Sequence, residues 1–138
     1  FGFSELQRAG AIARMPRLYA AQPLHCSPLD AALRGKSGRP VLPTIAEGTA
    51  IRSPLRLSGL VAAVRRSGGS SVAVPEAGIV EAHAALARQG LYAEPTSATA
   101  AAAYGRLLET NEIRATETAV VILTGSGLKA SGAGLPAG

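Results

Sequence analysis

The sequence has no tryptophan, a single cysteine and few aromatic residues. Its 138 residues include two Phe and three Tyr, so aromatic side chains make up 4% of the chain. We therefore expect a core of Ala, Val, Leu and Ile, in which helices and strands approach closely. Because Cys26 has no partner in the chain, an intramolecular disulfide framework is excluded. A reducing cytoplasm is compatible with that, and we expect the protein to be cytoplasmic.

Long apolar runs and lysines are also scarce. No apolar stretch approaches the roughly 18 residues of a membrane span, so no membrane contact is predicted. Lys36 and Lys129 are the two lysines among 14 basic residues, and the net charge is +5. The arginines are scattered, except for Arg65 and Arg66, and base-stacking aromatics are nearly absent. The excess of positive charge therefore indicates a solvated surface and not a nucleic-acid site.

Hydrophobic residues make up 47% of the chain and charged residues 17%, which is typical of one globular domain or a piece of a larger one. Periodicity and Pro/Gly positions predict the order helix, strand, helix, helix, strand, helix, helix, strand. The helices are predicted over 1–10, from an N-cap at Ser27 to Gly35, and over 53–69, 75–90 and 96–109; the strands are predicted at 17–22, 70–74 and 119–123.

The last predicted strand, AVVIL (119–123), has no polar alternation and is expected to be buried on both faces. Helices between buried strands predict α/β architecture, with a parallel twisted sheet and helices on both faces. Ligands of such sheets bind at the carboxyl ends of strands. Polar residues and glycines stand at three junctions, which we interpret as a candidate site: 46–48, 94–95 and 124–125.

Several familiar motifs can be excluded. RGKSG (34–38) has Asp30 where a phosphate-binding P-loop needs its first glycine. His25 and Cys26 have no second ligand pair, so no metal site is predicted. His83 stands alone within a predicted helix and is interpreted as a surface or packing residue.

Three stretches in order resemble a known family: TIAEG (44–48), EPTSA (94–98) and LTGSGLK (123–129). They are similar to the C-terminal part of threonine synthase-like enzymes, which are pyridoxal-phosphate enzymes of fold type II. Residues 72–98 resemble the strand, helix and Glu-Pro segment of that family without a gap. The resemblance covers essentially the whole chain. It implies an incomplete three-layer fold type II domain and pyridoxal 5'-phosphate as the cofactor of the full-length protein.

Two features distinguish the branches of this family. Dehydratases and racemases typically end the last strand in Ser-Gly-Gly-Asn, whereas residues 124–129 resemble the synthase version. Racemase-like members carry two acidic metal ligands where this chain has Gln22 and Pro28. Neither residue supplies the negative charge that a divalent cation prefers, so the resemblance implies no metal here.

The resemblance assigns cofactor contacts to four residues. Thr124 matches the hydroxyl that faces the pyridine nitrogen, although a Thr that ends a strand by bonding to its own turn is the alternative. Gly48 matches the residue against the flat face of the ring, or is a simple turn glycine. Glu94 matches the acid near the ring nitrogen, or is a structural acid that braces the next helix. Gly125 gives the backbone room beside the cofactor, and Ser97 is interpreted as a helix-start residue.

The resemblance also implies what lies elsewhere in the protein. In this family the Schiff-base lysine, the glycine loop for the cofactor phosphate and most substrate-phosphate contacts lie upstream. Lys129 does not match that lysine and is interpreted as a surface or loop cation. The chain begins FGFSEL, without Met. We therefore expect residues 1–138 to be the C-terminal part of the large cofactor-binding domain, without a catalytic residue of its own and inactive alone.

For the full-length protein, the resemblance implies conversion of O-phospho-L-homoserine and water to L-threonine and phosphate. The substrate is thus a small amino acid, and a homodimer is expected because family members are often dimers. Two alternatives remain at this point. One is another fold type II lyase, similar to threonine or serine dehydratase. The other is a catalytically silent α/β domain that keeps the fold for binding or regulation.

Overall fold

The computed structural model describes residues 2–38 and 40–129, the last of these by its backbone only. The elements in this part of the chain are α1 (Gly2–Arg8), β1 (Ala20–Pro23), α2 (Pro28–Leu33), a 3-10 turn (Glu47–Thr49), α3 (Leu57–Ser67), β2 (Ser71–Val74), α4 (Glu76–Arg88), α5 (Pro95–Glu109) and a second 3-10 turn (Gly127–Lys129). Over the same residues, no helix is both long enough and apolar enough to cross a membrane.

The two strands pair in parallel, as the sequence predicts. Their register runs from Ala20 opposite Ser71 to Pro23 opposite Val74. Because α2 and α3 lie between them in the chain, the connection is a crossover of the kind that parallel strands require. Both strands are short, and they form the whole sheet within the described residues.

Helices cover both faces of this sheet. Successive side chains of a strand point to opposite faces, so Ser71 and Val74 lie on different sides of β2. The Ser71 hydroxyl donates to the Oδ1 of Asp30 on α2, at 2.8 Å. Val74 instead belongs to the core against α4 and α5. The buried members of that core are Ala46, Val74, Ile79, Ala98 and Ala103. The predicted aliphatic, alanine-rich core is therefore confirmed.

The start of α2 differs from the prediction. Ser27 stands at the predicted N-cap position, but its side chain makes no cap hydrogen bond. The cap comes instead from Gln22 in β1, whose Oε1 accepts the N–H groups of Leu29 and Asp30 at 3.0 and 3.1 Å. These N–H donors are thus satisfied by a side chain of β1, and the sequence around the helix start does not predict this contact. The predicted stop at Gly35 is confirmed, since that residue has a φ of 63°.

Helix α3 begins four residues later than predicted. The N–H of Leu57 donates to the carbonyl of Pro54 at 3.3 Å, so the Ser-Pro pair opens a turn and not the helix. The end is as predicted, because Gly68 adopts a φ of 70° at the C-cap. Helix α4 lies within its predicted range, and α5 begins one residue early, at Pro95.

The predicted strand at 119–123 is wrong. Val120 and Ile122 are 85% and 70% exposed, and no strand is formed there. A strand buried on both faces needs a hydrogen-bonded neighbour and a cover on each side. Among the described residues, β1 and β2 pair with each other and neither pairs with this segment. Its apolar, β-branched composition therefore predicts a strand that this chain does not form, and Thr124 follows irregular backbone.

Hydrogen bonds of one arginine connect the segment before β1 with the segment after α5. Arg17 donates to the carboxylate of Glu117 at 2.7 Å and to the carbonyl of Glu112 at 3.1 Å. The Arg114 N–H bonded to the carboxylate lowers the pKa of Glu117, and the charge of Arg17 lowers it further. Partial burial raises the pKa of Tyr19, whose ring centroid lies 5.5 Å from the Arg17 guanidinium carbon.

Candidate functional site

The N-terminus of α5 is the point at which the three motifs of the sequence converge. Glu94 stands at the N-cap in extended conformation, with φ −71° and ψ 160°. Pro95 follows at the first helical position, where its missing N–H leaves no unsatisfied donor. Thr96 and Ser97 complete the first turn, and their hydroxyls contact two other segments of the chain. This arrangement places EPTSA at the centre of the candidate site.

Gly48 contacts α5 through Thr96. Its N–H donates to the Thr96 Oγ1 at 3.2 Å, across 48 residues of sequence. A Cβ on Gly48 would lie 2.9 Å from that same oxygen, closer than a carbon normally approaches. A side chain at position 48 would therefore require Thr96 to shift, so the close approach of TIAEG to α5 favours glycine there.

Gly125 contacts α5 from the other side. The Glu94 N–H donates to the Gly125 carbonyl at 3.0 Å, and the Gly125 N–H donates to the Ser97 Oγ at 2.8 Å. The Glu94 carboxylate occupies the space in which a Cβ on Gly125 would stand. Gly125 is therefore fixed at both of its backbone groups, and only glycine fits beside this carboxylate as it stands.

A pair of hydroxyls lies next to these contacts. The Ser97 Oγ is 3.4 Å from the Thr124 Oγ1 and 3.3 Å from the Gly125 carbonyl oxygen. Ser97 is only 2% exposed, whereas Thr124 is exposed. A buried hydroxyl thus lies within contact distance of the hydroxyl of an exposed residue. The sequence predicted a helix-start role for Ser97 and missed this second role.

The contact between α5 and the final segment continues beyond Gly125. Ala93 and Ser126 form an antiparallel bridge, and the N–H of Gly127 donates to the carbonyl of Tyr92 at 2.9 Å. Gly127 packs against the Tyr92 ring so closely that a Cβ there would lie 2.8 Å from a ring carbon. The segment that carries Thr124 is therefore held along the approach to α5, although it is not a strand of the sheet.

The residues that the sequence assigned to a site thus lie around one helix end. Gly48, Glu94, Thr124 and Gly125 all contact residues 94–97 or belong to them. The side chain of Lys129, which the sequence analysis interpreted as a surface or loop cation, lies outside the described residues. Sequence reasoning missed Thr96, although its place inside EPTSA and its short polar side chain at a helix start were the available signals.

The histidines and the cysteine do not form part of this arrangement. His83 is 8% exposed and packs edge-on against Tyr92, with ring centroids 6.2 Å apart, which confirms its predicted packing role. Cys26 is buried and free. Over the described ranges, no three His, Cys, Asp or Glu side chains are grouped as a metal site would require.

The geometry can be set beside known proteins. A family profile described as pyridoxal-phosphate dependent enzyme matches residues 1–125. The chain belongs to this family. The match runs from the first helix to Gly125, and so it includes every residue of the site around α5.

Three individual relatives of this chain are each named threonine synthase. The chain is 36% identical over 134 residues to a threonine synthase of Methanocaldococcus jannaschii, across 93% of this chain and 33% of that protein. It is 32% identical to a threonine synthase of Methanosarcina acetivorans, with 93% and 33% covered, and 34% identical to one of Synechocystis sp., with 93% and 32% covered. The chain therefore spans about a third of the length of the curated relatives it matches.

Proposed function

We propose that this chain contributes to a threonine synthase that uses pyridoxal 5'-phosphate, and that the site around the α5 N-terminus lies beside the cofactor ring. The observation that carries the proposal is the convergence of Gly48, Glu94 and Thr124 on one helix end. Relatives named threonine synthase, at 30–36% identity over 93% of the chain, support the choice of reaction. The reaction is conversion of O-phospho-L-homoserine and water to L-threonine and phosphate.

The chemistry of the available groups fits the pyridine end of the cofactor. A pyridine nitrogen without a proton accepts a hydrogen bond, and a hydroxyl can donate one. Thr124 is an exposed residue and is followed directly by Gly125. When bound, pyridoxal phosphate acts as an electron sink for carbanion chemistry.

In this proposal each residue has a separate task. Thr124 donates to the ring nitrogen. Ser97 orients Thr124 from its buried position 3.4 Å away and holds the Gly125 N–H at 2.8 Å. Gly48, whose missing side chain leaves room for Thr96, would place its backbone against the flat face of the ring. Glu94 fixes Gly125 through its backbone N–H and places a carboxylate at the same helix end.

Other parts of the reaction are assigned outside this stretch. The relatives are about three times as long as the segment matched here, since the match covers 33% of the first of them. We infer that the lysine that binds the cofactor covalently and the loop that holds its phosphate belong to the remaining length. Residues 1–138 would then be the C-terminal part of the cofactor-binding domain. Expressed alone, the chain is expected to give no turnover.

The test is a substrate comparison on the full-length protein loaded with pyridoxal phosphate. With O-phospho-L-homoserine, we expect phosphate and threonine in equal amounts, and no product after the cofactor is removed. Threonine and serine should release little ammonia. Ammonia from threonine without phosphate from O-phosphohomoserine would indicate a dehydratase instead. No product from any of the three would favour a silent domain.

A further inference from the structure

Glu76 is an acidic residue outside the three motifs of the candidate site. It is the first residue of α4, directly after Pro75 at the end of β2. Its Oε1 accepts a hydrogen bond from the Thr44 hydroxyl at 2.7 Å, and its Oε2 accepts the Ile45 N–H at 2.9 Å. One carboxylate thus holds two successive residues that lie about 30 positions earlier in the chain.

These bonds fix the segment where it enters the core. The Thr44 Oγ1 also accepts the N–H of Ala46 at 3.1 Å, and Ala46 is completely buried. The carbonyl of Ala46 then accepts the N–H and the hydroxyl of Thr49, both at 3.1 Å. Hydrogen bonds through Thr44 and Ala46 thus connect the Glu76 carboxylate to the 3-10 turn Glu47–Thr49.

This 3-10 turn also contacts the candidate site. Gly48 is its middle residue, and its N–H donates to the Thr96 hydroxyl at the start of α5. The next residue of that helix, Ser97, holds Gly125. A continuous series of contacts thus runs from Glu76 to the residues proposed to face the cofactor. A side chain at the end of β2 can in this way affect a site that it does not touch.

His25 is the third group that faces this carboxylate. Its Nδ1 lies 3.7 Å from the Glu76 Oε1 and 2.5 Å from the Pro43 carbonyl oxygen. The residue just before Thr44 is thus bound to the loop that follows β1. Residues 43–45 are therefore held from two strand ends, with Glu76 supplying both contacts from the β2 side.

We propose that Glu76 is a positioning residue for the site at the start of α5. It fixes residues 44–46 and so holds Gly48 against Thr96, beside the proposed cofactor site. The effect on the cofactor rests on the proposed function. The effect on the backbone of 44–48 does not, so the two can be measured separately.

The experiment compares Glu76→Ala with Glu81→Ala in the full-length protein. Glu81 is an exposed carboxylate on the same helix and serves as the matched control. Amide hydrogen exchange at Ile45 and Gly48 reports on the segment, and the absorbance and emission of bound pyridoxal phosphate report on the site. In Glu76→Ala, we expect exchange at both amides to rise roughly tenfold or more, because a hydrogen bond to a charged group is lost. The cofactor spectrum should change as well, and Glu81→Ala should alter neither.

Thr44→Val gives an independent reading, because it removes one donor to Glu76 and keeps the shape of the side chain. We expect faster exchange at Ala46 and Gly48 and a spectral change in the same direction as in Glu76→Ala. Unchanged exchange at Ile45 and Gly48, or changed exchange with a wild-type cofactor spectrum, overturns the proposal. A uniform rise across α4 and α5 also overturns it, since that is the sign of general destabilisation. Failure of the wild-type protein to bind pyridoxal phosphate rejects the proposed function, while the exchange data still decide whether Glu76 fixes the segment.

Discussion

The carboxylate of Glu94 fills the space that a side chain on Gly125 would need, while the backbone N–H of Glu94 donates to the Gly125 carbonyl at 3.0 Å. The two residues are 31 positions apart in sequence, yet the Glu94 side chain packs directly against the backbone of Gly125. This contact joins the N-cap of α5 to the segment that carries Thr124. The site therefore depends on a glycine whose missing side chain leaves space for the carboxylate of another residue of the same chain.

Gly125→Ala is accordingly expected to displace the Glu94 carboxylate. Glutamate is flexible, so the cost should be moderate, at about 1 to 3 kcal/mol, as for other overpacked positions. The unfolding midpoint in urea measures it. Gly105→Ala is the matched control, because a Cβ at that position in α5 meets no atom within 4 Å. That change should be neutral or stabilising, by up to about 1 kcal/mol, since alanine favours helix. Equal effects of the two substitutions would contradict the close approach of Glu94 and Gly125.

Ser97→Ala removes the hydroxyl that holds both Gly125 and Thr124. The Gly125 N–H would lose its acceptor in a partly buried position, which costs about 1 to 3 kcal/mol of unfolding free energy. Because Thr124 would also lose its neighbour at 3.4 Å, the spectrum of bound pyridoxal phosphate should change. Thr110→Ala is a suitable control, because its hydroxyl bonds to helix carbonyls at the far end of α5. A spectrum that responds equally to both variants would argue against an orienting role for Ser97.

Gly69, between α3 and β2, lies very close to the backbone of Leu18. A Cβ there would collide with the backbone carbonyl of Leu18, which cannot move aside as a flexible side chain could. Gly69→Ala should therefore cost about 3 kcal/mol or more of unfolding free energy, or prevent folding. Gly59→Ala, in open space on α3, should be tolerated. Thermal unfolding of the two variants compares them directly, and a tolerated Gly69→Ala would show that the backbones of Leu18 and Gly69 do not approach this closely.

The lowered pKa of Glu117 predicts a dependence of stability on pH. The ordinary value is 4.5, and the Arg114 N–H and the charge of Arg17 lower it in the folded protein. A carboxyl whose folded pKa is depressed stabilises the fold fully above the unfolded value, and this contribution disappears as pH falls through the folded value. Glu117→Gln should thus lower the unfolding midpoint near neutral pH, and its difference from wild type should shrink as pH falls below about 4.5.

Glu109→Gln supplies the control for that series, because Glu109 is an exposed carboxylate at the end of α5. Since Glu117 is also exposed, the effect should be small and should weaken with salt. A difference between Glu117→Gln and wild type that stays constant across the acid range would contradict the assigned ion pair.

Glycines and prolines at helix ends make a large part of this fold predictable from sequence. Gly35 and Gly68 end helices at left-handed φ angles, and Pro28 and Pro95 begin them, so those elements follow from residue types. Parallel pairing follows from the helices between the strands. The three motifs also converge on the start of α5, while the cofactor contacts assigned to their residues stay a prediction.

The features that sequence did not predict are contacts between distant segments. The cap of α2 comes from Gln22 in β1, and the carboxylate that holds residues 44–45 comes from Glu76. Neither pairing leaves a local pattern. The segment 119–123 has the composition of a buried strand, but composition does not supply the partner that a strand needs. Its exposed Val120 and Ile122 show that burial is set by the neighbours present.

The central claim is that Thr124 faces the ring nitrogen of pyridoxal phosphate, and nitrogen NMR measures it most directly. Full-length protein would be loaded with cofactor labelled with ¹⁵N in the ring, and the pyridine resonance compared among wild type, Thr124→Ala and Ser126→Ala. We predict that wild type and Ser126→Ala share one chemical shift, and that Thr124→Ala moves it toward that of a pyridine nitrogen without a hydrogen-bond donor. An identical resonance in Thr124→Ala and wild type would contradict the claim.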